Sequence, residues 1–211
     1  MEIASFTFND FAENTYVLYD ESKSCIIIDP GCNTPAERKE LTSFIESNEL
    51  KPEYVVNTHC HIDHVLGNRF TMEEYGLELY THEGEVPVLA ACEMVAQMYG
   101  IPYDPSPSIN NTIKDGDEIT FGNTSLKSIF TPGHSPASIS LYHEPSSVLI
   151  AGDVLFRQSI GRTDLPGGDF NTLISSIRTR LFILPDDTVV YPGHGPETTI
   201  GYEKSYNPFL Q

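Results

Sequence analysis

Four times in this chain an apolar run of strand character ends on a tight turn that carries an imidazole or a carboxylate. "YVV" leads into "NTHCHIDH" at Asn57–His64, and "SIF" leads into "TPGH" at His134. "VLI" leads into "AGD" at Asp153, and "VVY" leads into "PGH" at His194. Runs this apolar suit strands buried on both faces. Polar residues just past the carboxyl ends of such strands stand where sites form in layered α/β proteins. A tight turn there lets the backbone hold each side chain over one face. The pattern therefore demands a fold that places strand ends, rather than helix faces, around its chemistry.

Between these turns the elements alternate. "EIASFTF", "NTYVLYD" and "CIIIDPG" read as short strands ended by Asn, Asp or Gly. Thr34 is the predicted N-cap of a helix with Pro35 at its first position and Leu41, Phe44 and Ile45 on one face. "PEYVVNT" is a strand, "LGNRFTMEEYG" and "GEVPVLAACEMVAQMYG" are helical, and "LELYTH" is a strand between them. Ile101–Asn111, with three prolines, reads as a loop. Strands return with "DEITFG", "TSLKSIFTPG", "ASISLYHE" and "SVLIAGDVLF". A helix is expected over Phe170–Leu184 with Asp169 as N-cap, then the strand "TVVYPGHG" and a short helix around "TTIGYEKSY". The order predicts an α/β fold, with two mixed sheets packed together and helices outside, in a single domain over residues 1–211.

Bulk properties narrow the partners. Twelve basic residues against thirty acidic ones give a formal charge of −18. Such a surface repels phosphate backbones and anionic lipid, which argues against nucleic acid and membrane as partners. The N-terminal residues show no basic segment followed by an apolar one, and no apolar run reaches membrane-spanning length. The four cysteines, Cys25, Cys32, Cys60 and Cys92, have no CxxC spacing and are expected to be reduced thiols. The expected location is the cytoplasm.

Imidazole and carboxylate together suit zinc and other borderline divalent ions. His59 and His61 are two apart, so an extended backbone sends both the same way, and Asp63 continues that parity. His64 then requires the chain to turn into the following helix. Five of the seven histidines fall in such strand-end settings. His82 and His143 do not, and are expected at the surface or behind the ligands. Cys60, of opposite parity to its neighbours, is expected to be a buried packing residue.

"THCHIDH", "TPGHSPAS", "AGDVLF" and "YPGHG", in this order from Thr58 to Gly195, resemble the metal-binding motifs of the metallo-β-lactamase-fold superfamily. Within it, "SIGRTDLPGGD" and "GPETTIGYEKSYNPF" are similar to small bacterial hydrolases of the glyoxalase II type, which resemble hydroxyacylglutathione hydrolases. The resemblance implies a four-layer αβ/βα sandwich with the site at one edge. Position by position it implies that His59, His61 and His134 hold one metal, that Asp63, His64 and His194 hold a second, and that Asp153 bridges them. Two divalent ions are expected, zinc first, with iron or manganese also fitting these ligands. Ions that share a carboxylate can share a water and lower its pKa, which supplies hydroxide to attack a thioester carbonyl without a serine or cysteine nucleophile. The implied substrate is a small anionic thioester such as S-lactoylglutathione.

Arg162, in "GRTD", is placed to bind a substrate carboxylate through its planar fork, or equally to pair with Asp164 or Asp169. Larger glyoxalase II enzymes carry a helical C-terminal extension with basic residues for the glutathione carboxylates, whereas Lys204 is the only basic residue here after Arg180. The resemblance thus carries metal-dependent hydrolysis further than it carries glutathione. Two rivals remain. Persulfide dioxygenases of the superfamily share HxHxDH and "GRTD" and bind one iron through two His and one Asp, here His59 or His61, His134 and Asp153. A non-catalytic metal-binding module is the other. A β-lactamase is disfavoured by the lack of an export signal, and a nuclease by the acidic surface.

Overall fold

The computed structural model describes every residue from Met1 to Gln211, in fourteen strands and six α-helices. It divides into two compact units.

The first unit takes in Met1–Thr81, Val86–Thr112 and Thr120–Thr124. Its six-stranded sheet runs in chain order: β1 (Glu2–Phe8), β2 (Glu13–Tyr19), β3 (Ser24–Ile28), β4 (Lys51–Val56), β5 (Leu79–Thr81) and β6 (Asn111–Thr112). β1, β2 and β3 pair antiparallel, and β3 to β6 pair parallel. Parallel neighbours need crossover connections. These are α1 (Pro35–Ser47), then α2 (Ile62–Val65) with α3 (Asn68–Tyr75), then α4 (Val86–Tyr99). Residues 101–110 form no regular element, as their prolines predict. Leu41 and Ile45 of α1 are buried among Phe6, Phe8, Val17, Cys25 and Ile27. Each such burial stabilises the unit by about 1.5–3 kcal/mol.

A second six-stranded sheet has the order β14 (Thr198–Thr199), β13 (Val189–Pro192), β10 (Val148–Gly152), β9 (Ile139–His143), β8 (Thr124–Phe130) and β7 (Glu118–Phe121). β10 and β13 pair parallel, while β9 pairs antiparallel with both β8 and β10. Both sheets are thus mixed, as the sequence predicts. β11 (Leu155–Phe156) and β12 (Ser159–Ile160) form a separate hairpin. The second unit comprises His82–Glu85, Ile113–Ile119 and Ser125–Gln211.

Asp169 caps α5 (Phe170–Ser176) by accepting from the Thr172 amide, and Thr199 caps α6 (Ile200–Tyr206). The expected helix over 170–184 is α-helical only to Ser176. Ile177–Leu181 is a π-helical turn, closed by Phe182 N donating to Ile177 O at 2.9 Å. Leu173, Ile177 and Leu181 are all fully buried in one cluster with Leu149 and Val190. A spacing of four drifts off a 3.6-residue face, and the wider i→i+5 turn keeps all three on the core.

The α1 cap also ties three segments together. Glu37 accepts from the amides of Asn9 at 2.7 Å, Asn33 at 2.9 Å and Thr34 at 2.7 Å. Thr34 Oγ1 accepts from the Glu37 amide, which completes a capping box. Partial burial raises the Glu37 pKa, but the amides of Thr34, Asn33 and Asn9 outweigh it and hold the carboxyl below its usual value. A depressed folded-state pKa contributes stability above the unfolded value of about 4.3, and loses it as pH falls through the folded value. Glu37→Gln is therefore expected to cost about 1–2 kcal/mol in urea unfolding at pH 7. The gap to the wild type should narrow as pH drops below about 4.

Candidate metal centre

In the first unit the strand register sets the site. β3 and β4 run parallel, with Ile28 opposite Val56 and Asp29 N donating to Val56 O at 2.9 Å. Asp29 and the segment Asn57–His64 therefore leave adjacent strand ends. The Asp29 backbone is left-handed at φ 49°, a strain on the order of 1 kcal/mol for an L-residue. Its buried carboxylate holds it there. Oδ1 accepts from Thr58 N at 2.7 Å, and Oδ2 accepts from Thr58 Oγ1 at 2.6 Å and from His64 Nδ1 at 3.3 Å. Because the Thr58 hydroxyl proton goes to Asp29, its oxygen accepts from His59 Nδ1 at 3.1 Å. One carboxylate thus fixes the tautomer of two imidazoles and turns both Nε2 lone pairs outward.

The rings gather closely. His59 lies 4.8 Å from His61 and 4.1 Å from His64 between ring centroids, and His64 Nε2 is 3.5 Å from Asp63 Oδ2. Ligand atoms of Asp29, His59 and His64 all fall within 4.8 Å of one another. His59 and His64 are fully buried. Contrary to the parity expectation, the chain does not stay extended through Asp63, because α2 starts at Ile62 and His61 is the last extended residue. Ile62 and Val65 drive that early turn by packing with Cys60, Cys92 and Ala96. Cys60 is buried, as expected. Asn9 Nδ2 clamps the turn by donating to the carbonyls of Asp63 at 3.0 Å and Gly31 at 3.1 Å. Glu13 is buried nearby, 3.9 Å from His64 Nδ1, and burial pushes its pKa well up.

The second unit repeats the principle. β10 and β13 are parallel, with Gly152 opposite Pro192 and Gly193 N donating to Gly152 O at 2.9 Å. Asp153 and His194 consequently leave neighbouring strand ends. Asp153 Oδ2 is 3.4 Å from His194 Nε2 and 3.4 Å from His134 Nε2. His134 Nδ1 donates to the Arg162 carbonyl at 2.7 Å, which leaves its Nε2 as the lone-pair nitrogen. The close approach requires glycine twice. Gly133 sits at φ 132°, where a Cβ would strike the Leu173 backbone, and a Cβ on Gly161 would strike the Asp153 carbonyl. Buried Glu85 steadies the turn after His134, accepting from Ser135 Oγ at 2.7 Å and from Ala137 N at 2.9 Å.

The side chains of the remaining candidates are engaged with other partners. Arg162 grips Asp164 through two hydrogen bonds of 2.7 Å, which hold the Asp164 carboxyl down at about 2. Asp169, its other candidate partner, caps α5. His82 accepts from Gly84 N and stacks on Phe130. His143 is not at the surface: it is buried on β9, bonded to Ser146 Oγ at 2.6 Å.

Each unit sets imidazoles beside a carboxylate, with the tautomers of His59, His64 and His134 fixed by their partners, and this chemistry fits divalent ions. Asp29, Thr58, Glu13 and Glu85 are absent from the sequence-based candidates. Asp29 carries a signal, since "IIIDPG" ends in an acid on a turn just as "LIAGD" does. Thr58, Glu13 and Glu85 carry none.

These sheets and donors define a metal-dependent enzyme class. Residues 9–194 match the family model described as the metallo-beta-lactamase superfamily, and the chain belongs to that superfamily. A hydroxyacylglutathione hydrolase, GloC of Haemophilus influenzae, is 35% identical over 215 residues, covering 100% of this chain and 98% of that protein. The solved structure of the B3 metallo-beta-lactamase BLEG-1 superposes with a TM-score of 0.91 at 35% identity, covering 100% of both chains. TTHA1623 in a di-iron-bound form gives 0.89 at 33% identity, covering 98% of this chain and 100% of that one. No helix is long and apolar enough to cross a membrane.

Asp29 supplies a clean test. Asparagine tolerates a left-handed backbone but cannot accept at both oxygens, so Asp29→Asn should fold while releasing the His59 and His64 tautomers. Metal affinity by chelator competition is expected to fall about 10- to 100-fold.

Proposed function

We propose that the two donor sets serve one dinuclear centre, in a single functional domain over residues 1–211, that hydrolyses a small anionic acyl thioester of the S-lactoylglutathione kind. His59, His61 and His134 hold one ion in this reading, Asp63, His64 and His194 hold the other, and Asp153 is shared. When bound, the ions, zinc by preference, supply a Lewis acid for the carbonyl and an activated water as nucleophile. The chain supplies orientation. Asp29 holds His64 directly and His59 through Thr58, and the Arg162 carbonyl holds His134. No side chain competes as nucleophile among the thiols: all four cysteines are buried and outside any disulfide, and burial pushes Cys25 and Cys32 up to about 12. Reduced thiols suit a reducing cytoplasm.

The observation that carries two ions rather than one is the equal care given to His59 and His64. A single iron held by His59 or His61, His134 and Asp153, as in a persulfide dioxygenase, leaves His64, whose Nδ1 is held by Asp29 at 3.3 Å, with no ion for its Nε2. GloC supports a thioester, since it matches nearly end to end. The likeness to BLEG-1 favours a second reading, β-lactam hydrolysis, which needs the same attack on an acyl carbon.

Elemental analysis followed by kinetics separates these readings. About two metal ions per chain and turnover of S-lactoylglutathione well above that of a chromogenic cephalosporin are expected. Oxygen uptake with glutathione persulfide, without thioester cleavage, would overturn the choice. Asp153→Ala and His59→Ala should each abolish both metal content and turnover, and an active Asp153 variant would defeat the shared-carboxylate scheme.

A further inference from the structure

The β11–β12 hairpin carries a cation that the rest of the molecule has not used. Of the six arginines, Arg38, Arg69, Arg162 and Arg180 each lie within 3.0 Å of a carboxylate. Arg178 donates to the carbonyls of Leu210 and Gln211. Arg157 alone has neither kind of partner. It is exposed at the two-residue tip of the hairpin, with its guanidinium 5.7 Å from the Tyr202 ring centroid. A cation over a ring face at this distance keeps its N–H groups available to a ligand.

The tip is built rather than loose. Gln158 sits at φ 58°, its amide donates to buried Glu203 at 2.9 Å, and its side chain donates to the Tyr202 hydroxyl at 2.6 Å. Glu203 is fixed in turn by Asn207 Nδ2 at 2.8 Å and by Thr198 Oγ1. Tyr202 also packs on exposed Tyr206, with 5.0 Å between centroids. The tip adjoins the donors of its own unit. Phe156, the residue before Arg157, lies 6.2 Å from the His194 ring in an edge-on arrangement. Arg157 comes four residues after Asp153, a span of at most about 14 Å.

We propose that Arg157, held over the Tyr202 ring, binds an anionic group on the thiol half of the substrate and thereby selects charged carriers over neutral ones. The inference rests on the thioester reading above. A guanidinium edge accepts a carboxylate or a phosphate in the same bidentate way, so the carrier is glutathione-like or nucleotide-like. An arginine in this role needs no prior ion pair to be broken, in contrast to Arg162 with its Asp164.

Three lactoyl thioesters distinguish the possibilities: those of glutathione, of coenzyme A and of N-acetylcysteamine, which is neutral. With metal-loaded protein, Arg157→Gln should raise KM about tenfold or more for whichever anionic carrier is used, the size of a charge-assisted hydrogen-bond pair. The kcat values and the neutral thioester should be unaffected, and Arg157→Lys should recover part of the loss. In metal-free protein, calorimetry with S-methylglutathione or coenzyme A should detect binding that Arg157→Gln removes. A variant that loses melting temperature but not KM, or that loses all three substrates equally, overturns the proposal. A wild type that cleaves none of the three refutes the thioester reading instead.

Discussion

A buried charge is tolerated only where donors replace the water it gives up, and Asp29 puts that replacement to a second use. Its carboxylate, 1% exposed, takes the Thr58 amide, the Thr58 hydroxyl and the His64 imidazole. Satisfying the acid and orienting the rings are the same act. Remove the acid and Thr58 loses the acceptor that directs its hydroxyl, so His59 loses its tautomer through a residue that never faces a ligand. In the second unit a main-chain carbonyl, that of Arg162, performs this office for His134. Different chemistry gives the same result, an Nε2 lone pair held in place before any ion arrives.

Backbone periodicity sets what can be read from residues alone. Apolar runs ending in Asn, Gly or Pro-Gly mark the strands, and the candidate donors are readable because they sit one turn past those ends, as His134 and His194 do. Thr34, Pro35 and Asp169 are readable as caps because capping is local. Local reading fails where packing overrides parity. Parity assigns Asp63 to an extended chain, yet the burial of Ile62 and Val65 against α4 starts the helix there. The π-helical turn at Ile177–Leu181 likewise answers to the core cluster, not to any residue within it.

Partners that act through long-range contacts leave no pattern at all. Glu85 and the Ser135 it holds are 50 positions apart, and only the fold joins them. Glu13 and Thr58 are ordinary residues in ordinary strands and turns until the neighbouring strand ends meet them. Asp29 is the instructive middle case. It stands at a strand end in the same form as Asp153, but no histidine lies beside it in the chain, and the parallel register that brings His64 to it is invisible to local reading.

Chemistry and selectivity are separate problems in such a molecule. Strand ends place the donors, and chains similar to this one over their whole length carry names as different as hydroxyacylglutathione hydrolase and B3 metallo-beta-lactamase. Selectivity must then come from hairpins and loops, which vary without disturbing the sheets. Electrostatics narrows where to look. A surface with a net charge of −18 opposes an anionic substrate, but salt confines that repulsion to about 8 Å. A local cation can therefore reverse the sign of the field where it counts. In a chain where carboxylates or main-chain carbonyls claim every other arginine, that cation has to be kept from pairing. An aromatic face does this, because Tyr202 holds the guanidinium without neutralising it.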